Sequence, residues 1–201
     1  MSKDQFIFNM ACFSTNSERF RPLLIIEKFM TNSDYDYMQK NDSALSFYYK
    51  VESKNNKYNK LLLSIYEIVN FEEAQNDICT YSDSYLIIID LESDDTYKKL
   101  DTIINYMRNI CDLEKSIFVL GVYEDVKNTK KELDEENIIE YLDGQKLVYE
   151  YVESNVDSVK DLVKTVDFIL KEGVKKIEKK LIQKENNSQN ESESKSKCII
   201  F

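Results

Sequence analysis

Histidine is absent from all 201 residues, which removes the commonest general base and the commonest metal ligand. Glycine is nearly absent too. Only Gly121, Gly144 and Gly173 are available where backbone must pass close to a phosphate. Basic charge is in deficit, with 27 Lys and Arg against 37 Asp and Glu. The resulting net charge of −10 argues against nucleic acid, whose recognition needs a basic face. No apolar run reaches the length of a membrane-spanning helix. The opening Met-Ser-Lys-Asp lacks the apolar core of a signal peptide, and Ser2 stands where N-myristoylation needs glycine. Cys12, Cys79, Cys111 and Cys198 are scattered and form no CxxC pair. They read as reduced thiols in a cytosolic setting, three in the core and one in the tail.

What is present is organised around Tyr85–Leu91, Y-L-I-I-I-D-L, an apolar run without alternation. Such a run suits a strand buried on both faces, as in a parallel sheet. Glu92–Asp95 then supplies helix-capping residues. Leu100, Ile103, Ile104, Met107 and Ile110 share one face of a helix over Thr96–Ile110, and Ser116–Tyr123 is a second apolar run. Strand, helix and strand in that order make a βαβ unit with a right-handed crossover. The remaining expected strands lie near 6–13, 44–52, 61–69 and 146–152, with 44–52 and 61–69 forming a hairpin. Helices are expected from Pro22, over 130–142 and from about 156 to 184. Residues 31–42 read as an irregular loop, and 71–80 as a short acidic segment. The fold class is therefore α/β: a three-layer, doubly wound, mostly parallel six-stranded sheet. Leu86, Ile88, Phe118, Leu120, Leu162 and Phe168 are expected among its buried residues. Residues 1–185 form the domain, with Gly173 a weak point in the last helix, and 186–201 form a polar, disordered tail.

The chain closes on Cys198-Ile199-Ile200-Phe201, which matches the prenylation motif, its terminal Phe pointing to geranylgeranyl. One lipid gives marginal attachment, and a basic patch is the usual second signal. Lys175, Lys176, Lys179 and Lys180 cluster on the last helix, where the bland alternative is a solvated face balanced by Glu172 and Glu178. These features predict a lipid-anchored protein at the cytoplasmic face of a membrane, neither secreted nor membrane-spanning.

Taken together, the element order and the prenyl motif resemble the Ras superfamily of small GTPases over nearly the whole chain. Y-L-I-I-I-D-L looks like that family's strand ending in aspartate, and Phe118–Asp125 (F-V-L-G-V-Y-E-D) like the strand leading into its guanine-reading N-K-x-D. Members of this type are membrane-tethered switches that bind GTP or GDP with Mg²⁺ and recruit effectors. The nucleotide motifs themselves are degenerate. The phosphate loop needs G-x-x-x-x-G-K-[ST], with glycines for backbone approach and Lys for the β- and γ-phosphates. This chain offers S-T-N-S-E-R-F-R, which puts Arg19, Phe20 and Arg21 where Gly-Lys-Ser should stand. At the D-x-x-G position, Glu67 replaces the aspartate and Asn70 the glycine. Of N-K-x-D only Asp125 remains, and Y-E-Y-V-E-S replaces the S-A-K region.

Arg19, Arg21 and Asp125 are thus what would remain of a nucleotide site, although a strand-terminal aspartate capping the next loop accounts better for Asp125, and no cofactor and no GTP hydrolysis are expected. Paired carboxylates at Asp34/Asp36 and Asp94/Asp95 read as loop and cap residues. Tyr35, Tyr37, Tyr48, Tyr49 and Tyr66 lie along the hairpin half, which corresponds to the family's effector-binding edge, although a half-buried sheet face accounts for them equally well. The leading reading is a prenyl-anchored pseudo-GTPase that docks protein effectors or regulators through the hairpin edge. Its rivals are an atypical GTPase whose arginines replace the lysine, which alone would bring GTP, GDP and Mg²⁺, and another doubly wound protein with a chance C-terminal match.

Overall fold

The protein is described by a computed structural model over residues 5–32, 36–40, 43–49, 60–69, 71, 73–124, 133–173 and 175. In chain order the elements are β1 (Gln5–Ser14), α1 (Pro22–Thr31), β2 (Asp36–Lys40), β3 (Ala44–Tyr49), β4 (Lys60–Glu67), α2 (Glu73–Tyr81), β5 (Ser84–Asp90), α3 (Thr96–Ile110), β6 (Ser116–Tyr123), α4 (Glu135–Gly144) and β7 (Tyr149–Asn155). A last helix, α5, covers residues 159–173.

Seven strands form one sheet in the order β2-β3-β4-β1-β5-β6-β7. The two pairings among β2, β3 and β4 are antiparallel, and the other four are parallel. The central run became β5, buried at every position between β1 and β6. Each fully buried Ile or Leu there contributes about 1.5–3 kcal/mol, which is why an unbroken apolar run stays in the middle of the sheet.

Because side chains alternate along a strand, the sheet feeds two cores. Phe8, Met10, Leu86, Ile88, Phe118 and Leu120 pack with Ile26 and Phe29 of α1 and Leu162, Val166 and Ile169 of α5. Phe13, Tyr85, Ile87, Ile89 and Val119 pack with Cys79 of α2, Ile103 and Met107 of α3, and Ile138 and Leu142 of α4. Helices therefore cover both faces, and the architecture is three-layer α/β. Among the described residues, no helix is long and apolar enough to cross a membrane.

Several expectations need correction. The sheet has a seventh strand, because Asp36–Lys40 pairs antiparallel with β3, with a register shift between Tyr37 and Gln39. The hairpin strand β3 is therefore not the sheet edge. The acidic stretch after Phe71 is the helix α2. The seventh strand starts at Tyr149 rather than Lys146, because Lys146 adopts a left-handed φ of 57° and turns the chain, leaving Val148 82% exposed. Phe168 is 42% exposed, since Val166, Ile169 and Leu170 take the inward face of α5. Gly173 is also a packing position, and the last helical turns, expected to be weakened, lie outside the described residues. It is buried, and a Cβ there would stand 3.0 Å from Phe8 Cζ. Asp95 begins α3 without a side-chain cap; its carboxylate instead accepts from Ser93 Oγ (2.6 Å) and pairs with Lys99 (3.0 Å). The hairpin turn, the end of the last helix and the tail lie outside the described residues.

Candidate functional site

In parallel α/β sheets, ligands bind in the crevice beyond the carboxyl ends of the strands. Here that edge is lined with charge. β4 ends at Glu67, β5 ends at Asp90 with Glu92 two residues on, and Glu124 follows β6. The loop from β1 to α1 crosses the same edge and carries Arg19 and Arg21.

Arg19 turns toward β5 and β6. Its Nη2 donates to Glu92 Oε2 at 2.6 Å and Glu124 Oε2 at 2.9 Å, while Nη1 stands 3.6 Å from Asp90 Oδ1. The guanidinium also stacks over the Phe20 ring, 4.7 Å from its centroid. Its charged form is held beyond the ordinary arginine range, first by the hydrogen bond to Glu124 and further by the charges of Asp90 and Glu92, with burial opposing. Arg21 turns the other way. Both Nε (2.9 Å) and Nη2 (2.7 Å) donate to Glu67 Oε2 at the end of β4. Glu67 is 1% exposed, and its Oε1 is buried with no hydrogen-bond partner. Beside it, burial and then the charge of Glu67 push the Cys12 thiol well up. The two arginines thus do not converge on one point.

Asp90 is the fixed centre of the edge. Buried to 1%, it accepts from Asn16 Nδ2 (2.8 Å) and from the Glu92 amide (3.0 Å). Its own amide donates to Thr15 Oγ1 (2.9 Å), and its carbonyl accepts from Thr96 Oγ1 (2.6 Å). The β1–α1 loop spends four of its amides within the protein. Thr15 N donates to Ile88 O, Asn16 N to Ser14 Oγ, Arg19 N to Asn16 Oδ1 and Phe20 N to Asn16 O. Ser14 Oγ donates to Phe20 O, and Phe20 is buried against the α1 core. A phosphate cradle needs such amides pointing outward.

Three features of this geometry are unfavourable to a magnesium-bound triphosphate. Two guanidiniums face four carboxylates (Glu67, Asp90, Glu92 and Glu124), so the edge is net negative before any phosphate arrives. The loop amides named above already have acceptors, and no glycine lies in the loop. Among the described residues, no three His, Cys, Asp or Glu side chains are placed to hold a metal ion.

A cleft of about 370 Å³ opens beside the loop, between residues 14–18, Val69, Phe71 and the Lys99–Ile103 stretch of α3. Phe71 has a left-handed φ of 53°, rare for an aromatic residue, and its ring joins a three-ring cluster, stacked on Phe13 at 6.4 Å and tilted against Tyr106 at 4.9 Å, with Phe13 and Tyr106 themselves 6.2 Å apart.

Of the residues singled out in the sequence, Arg19 and Arg21 lie at this edge as ion-pair donors. Lys175 is exposed and pairs with Glu172. Asp125, Lys176, Lys179, Lys180 and Cys198 lie outside the described residues. Tyr66 is half-buried, while Tyr35 and the side chains of Tyr37, Tyr48 and Tyr49 also lie outside the described parts of the chain. Sequence reasoning passed over Asp90, Glu92 and Glu124 as site residues and left Glu67 as a motif remnant. The signal available was that two core strands end at a carboxylate and a third is followed directly by one. No protein-family model matches the chain, and no curated protein sequence matches it.

Proposed function

We propose that this chain is a Ras-like pseudo-GTPase, a protein that keeps a G-domain-like architecture without nucleotide chemistry and acts as a membrane-tethered docking module in signalling or trafficking. One observation carries the reading. At the loop position where the family has Gly-Lys-Ser, Arg19 and Arg21 are both committed to carboxylates at the strand ends. The protein supplies internally the positive charge that the family draws from its lysine and Mg²⁺. A triphosphate would have to break those pairs and then meet four carboxylates. Breaking one charge-assisted hydrogen bond costs about 1.5–3 kcal/mol, and every 1.4 kcal/mol weakens binding about tenfold. The antiparallel β3–β4 hairpin beside the parallel strands β4-β1-β5-β6-β7 supports the family resemblance, and β2 adds a further antiparallel strand at that edge. In this reading, protein partners dock along the β2–β3 side. Geranylgeranyl at Cys198, with Lys175, Lys176, Lys179 and Lys180 as the electrostatic signal, holds the domain at the membrane.

The test is nucleotide content and affinity. Denaturing the purified protein and analysing the supernatant by mass spectrometry is expected to release no GDP or GTP. Calorimetric titration with GTP and Mg²⁺ is expected to give no heat of binding. Copurifying GDP, or submicromolar Mg²⁺-dependent GTP binding, would instead establish an atypical GTPase.

A further inference from the structure

Neither arginine of the strand-end pairs lines the cleft between the β1–α1 loop and α3. The cleft lies where the chain divides. β1 leads into α1 on one face of the sheet, whereas its neighbours β4 and β5 lead into α2 and α3 on the other. In open α/β sheets, ligands bind at such a switch point, beyond the carboxyl ends of the strands. The lining sorts by chemistry. Val69, Phe71 and Ile103 supply apolar surface, and Val69 is 41% exposed. Phe71 adds a strained left-handed backbone, a conformation that concentrates at ligand clamps and switches. Residues 14–17 form a neutral polar wall that is fixed before any ligand arrives. Ser14 Oγ is held between Phe20 O and the Asn16 amide, and Asn16 Nδ2 is anchored on Asp90. Two charged side chains complete the lining, and they have opposite signs: Glu18 from the loop and Lys99 from α3. Glu18 is exposed. Lys99 pairs with Asp95 in a half-exposed bridge, which is weak, and its ammonium has three donors to share.

We propose that this cleft binds a free α-amino acid with an apolar side chain, in its zwitterionic form. Lys99 takes the carboxylate, Glu18 takes the ammonium group, and the side chain lies on Val69, Phe71 and Ile103. Such a ligand accounts for both charges and for the apolar surface between the polar walls. A phosphate would meet one lysine and be repelled by Glu18, and a peptide terminus would bring only one of the two charges. A volume of about 370 Å³ also stands at the small end of ligand sites, which run from about 300 to 1,000 Å³. The inference rests on neither the membrane tether nor the fate of nucleotide, because it uses no residue of the arginine pairs or the tail.

Calorimetric titration of the purified full-length protein with L-phenylalanine tests it. One-site binding is expected. N-acetyl-L-phenylalanine and L-phenylalanine amide each lack one charge and imitate the two termini of a peptide. Each is expected to bind about tenfold more weakly or worse, the loss of one charge-assisted contact. Lys99→Met should weaken L-phenylalanine to a similar degree and erase its advantage over the amide. Glu18→Gln should erase its advantage over the N-acetyl form. Val69→Trp, at an exposed position, should fill the cleft and abolish binding, with an unchanged urea midpoint showing that the fold is intact. No saturable heat with L-phenylalanine or L-leucine at millimolar concentration would overturn the proposal. Equal affinity for the N-acetyl form or the amide would overturn it too, as would binding indifferent to Lys99→Met and Glu18→Gln. The ligand series on the unsubstituted protein decides the matter even if a substitution impairs folding.

Discussion

At the scale of single residues, the Arg21–Glu67 pair is the most consequential interaction, because its two members are unequally buried. The Glu67 side chain is 1% exposed and that of Arg21 41%. Removing the arginine strands a carboxylate that cannot reach water, whereas removing both charges strands nothing. Arg21→Met is expected to lower the unfolding free energy by about 1.5–3 kcal/mol, the range for hydrogen bonds to a charged group. Arg21→Met/Glu67→Gln is expected to recover part of that loss. Urea unfolding of the three proteins checks both, and a double variant weaker than Arg21→Met would show that Glu67 is stabilised by something other than its arginine. Two glycines make a second residue-scale contrast. A Cβ on Gly121 would stand 2.6 Å from the Tyr151 hydroxyl and 3.0 Å from Leu91 Cδ1, but one on Gly144 meets nothing within 4 Å. Gly121→Ala should therefore cost about 1–3 kcal/mol through overpacking. Gly144→Ala, in the last turn of α4, should gain about 0.4–1 kcal/mol by restricting the unfolded chain. Melting temperatures shifting in opposite directions would bear this out.

Elements were legible in the sequence to the degree that burial alone dictated them. β5, α3 and β6 could be read directly because one is apolar throughout, one repeats at helical spacing, and the third is apolar again. β2 could not, since Asp36–Lys40 shows no alternation; it is a strand because β3 offers it a ladder, which is a tertiary cause. The start of β7 was misplaced for a similar reason. Lys146–Val148 is apolar enough for a strand, but pairing with β6 begins only at Ile117 with Tyr149. The strand-end network shows the same divide: Arg19 and Arg21 were visible as anomalies in a loop, whereas their partners lie at or just beyond the ends of three strands that only the sheet order brings together. One element-scale prediction concerns α3, α4 and β7, where tyrosine hydroxyls donate to carboxylates: Tyr141 to Asp101, Tyr149 to Asp143 (2.9 Å) and Tyr151 to Glu153 (2.8 Å). Burial and then Asp143 push Tyr149 up to about 12, and the same kinds of cause raise Tyr141 and Tyr151. An unfolded tyrosine ionises near 10. Between those values the native state keeps a proton that the unfolded state has released, so stability falls as pH rises. The contribution is complete below about pH 10 and is lost as pH rises through 12. Tyr149→Phe should flatten this alkaline decline in urea-unfolding free energy while leaving the neutral value within about 0.5 kcal/mol, as for other partly exposed substitutions.

At the scale of the whole molecule, charge sets what the proposed tether must overcome. A body of net charge −10 is repelled by the anionic cytoplasmic leaflet, and one prenyl chain alone holds a protein only marginally. A local basic patch resolves the conflict because the membrane potential decays within about a Debye length, roughly 8 Å at physiological salt. Only charges near the anchor then count, and Lys175, Lys176, Lys179 and Lys180 lie at the end of the domain that leads to Cys198 in the sequence. Each lysine near an anionic surface is worth about 1 kcal/mol, so the four together are worth on the order of a hundred- to a thousandfold in partition. Lys175 already pairs with Glu172 on its own helix, which places the cluster toward the lower end of that range. Fractionation of cells expressing three forms separates the two signals. Cys198→Ser should move the protein wholly into the soluble fraction. Replacing the four lysines by glutamine should leave the prenyl group in place, as intact mass will show, yet release most of the protein. The wild type should be shed by high salt, whereas the lysine-free form should be insensitive to it. Membrane fractions unchanged by Cys198→Ser would remove the lipid anchor from the proposal, and a lysine-free form that stays bound would leave the lipid as sufficient by itself.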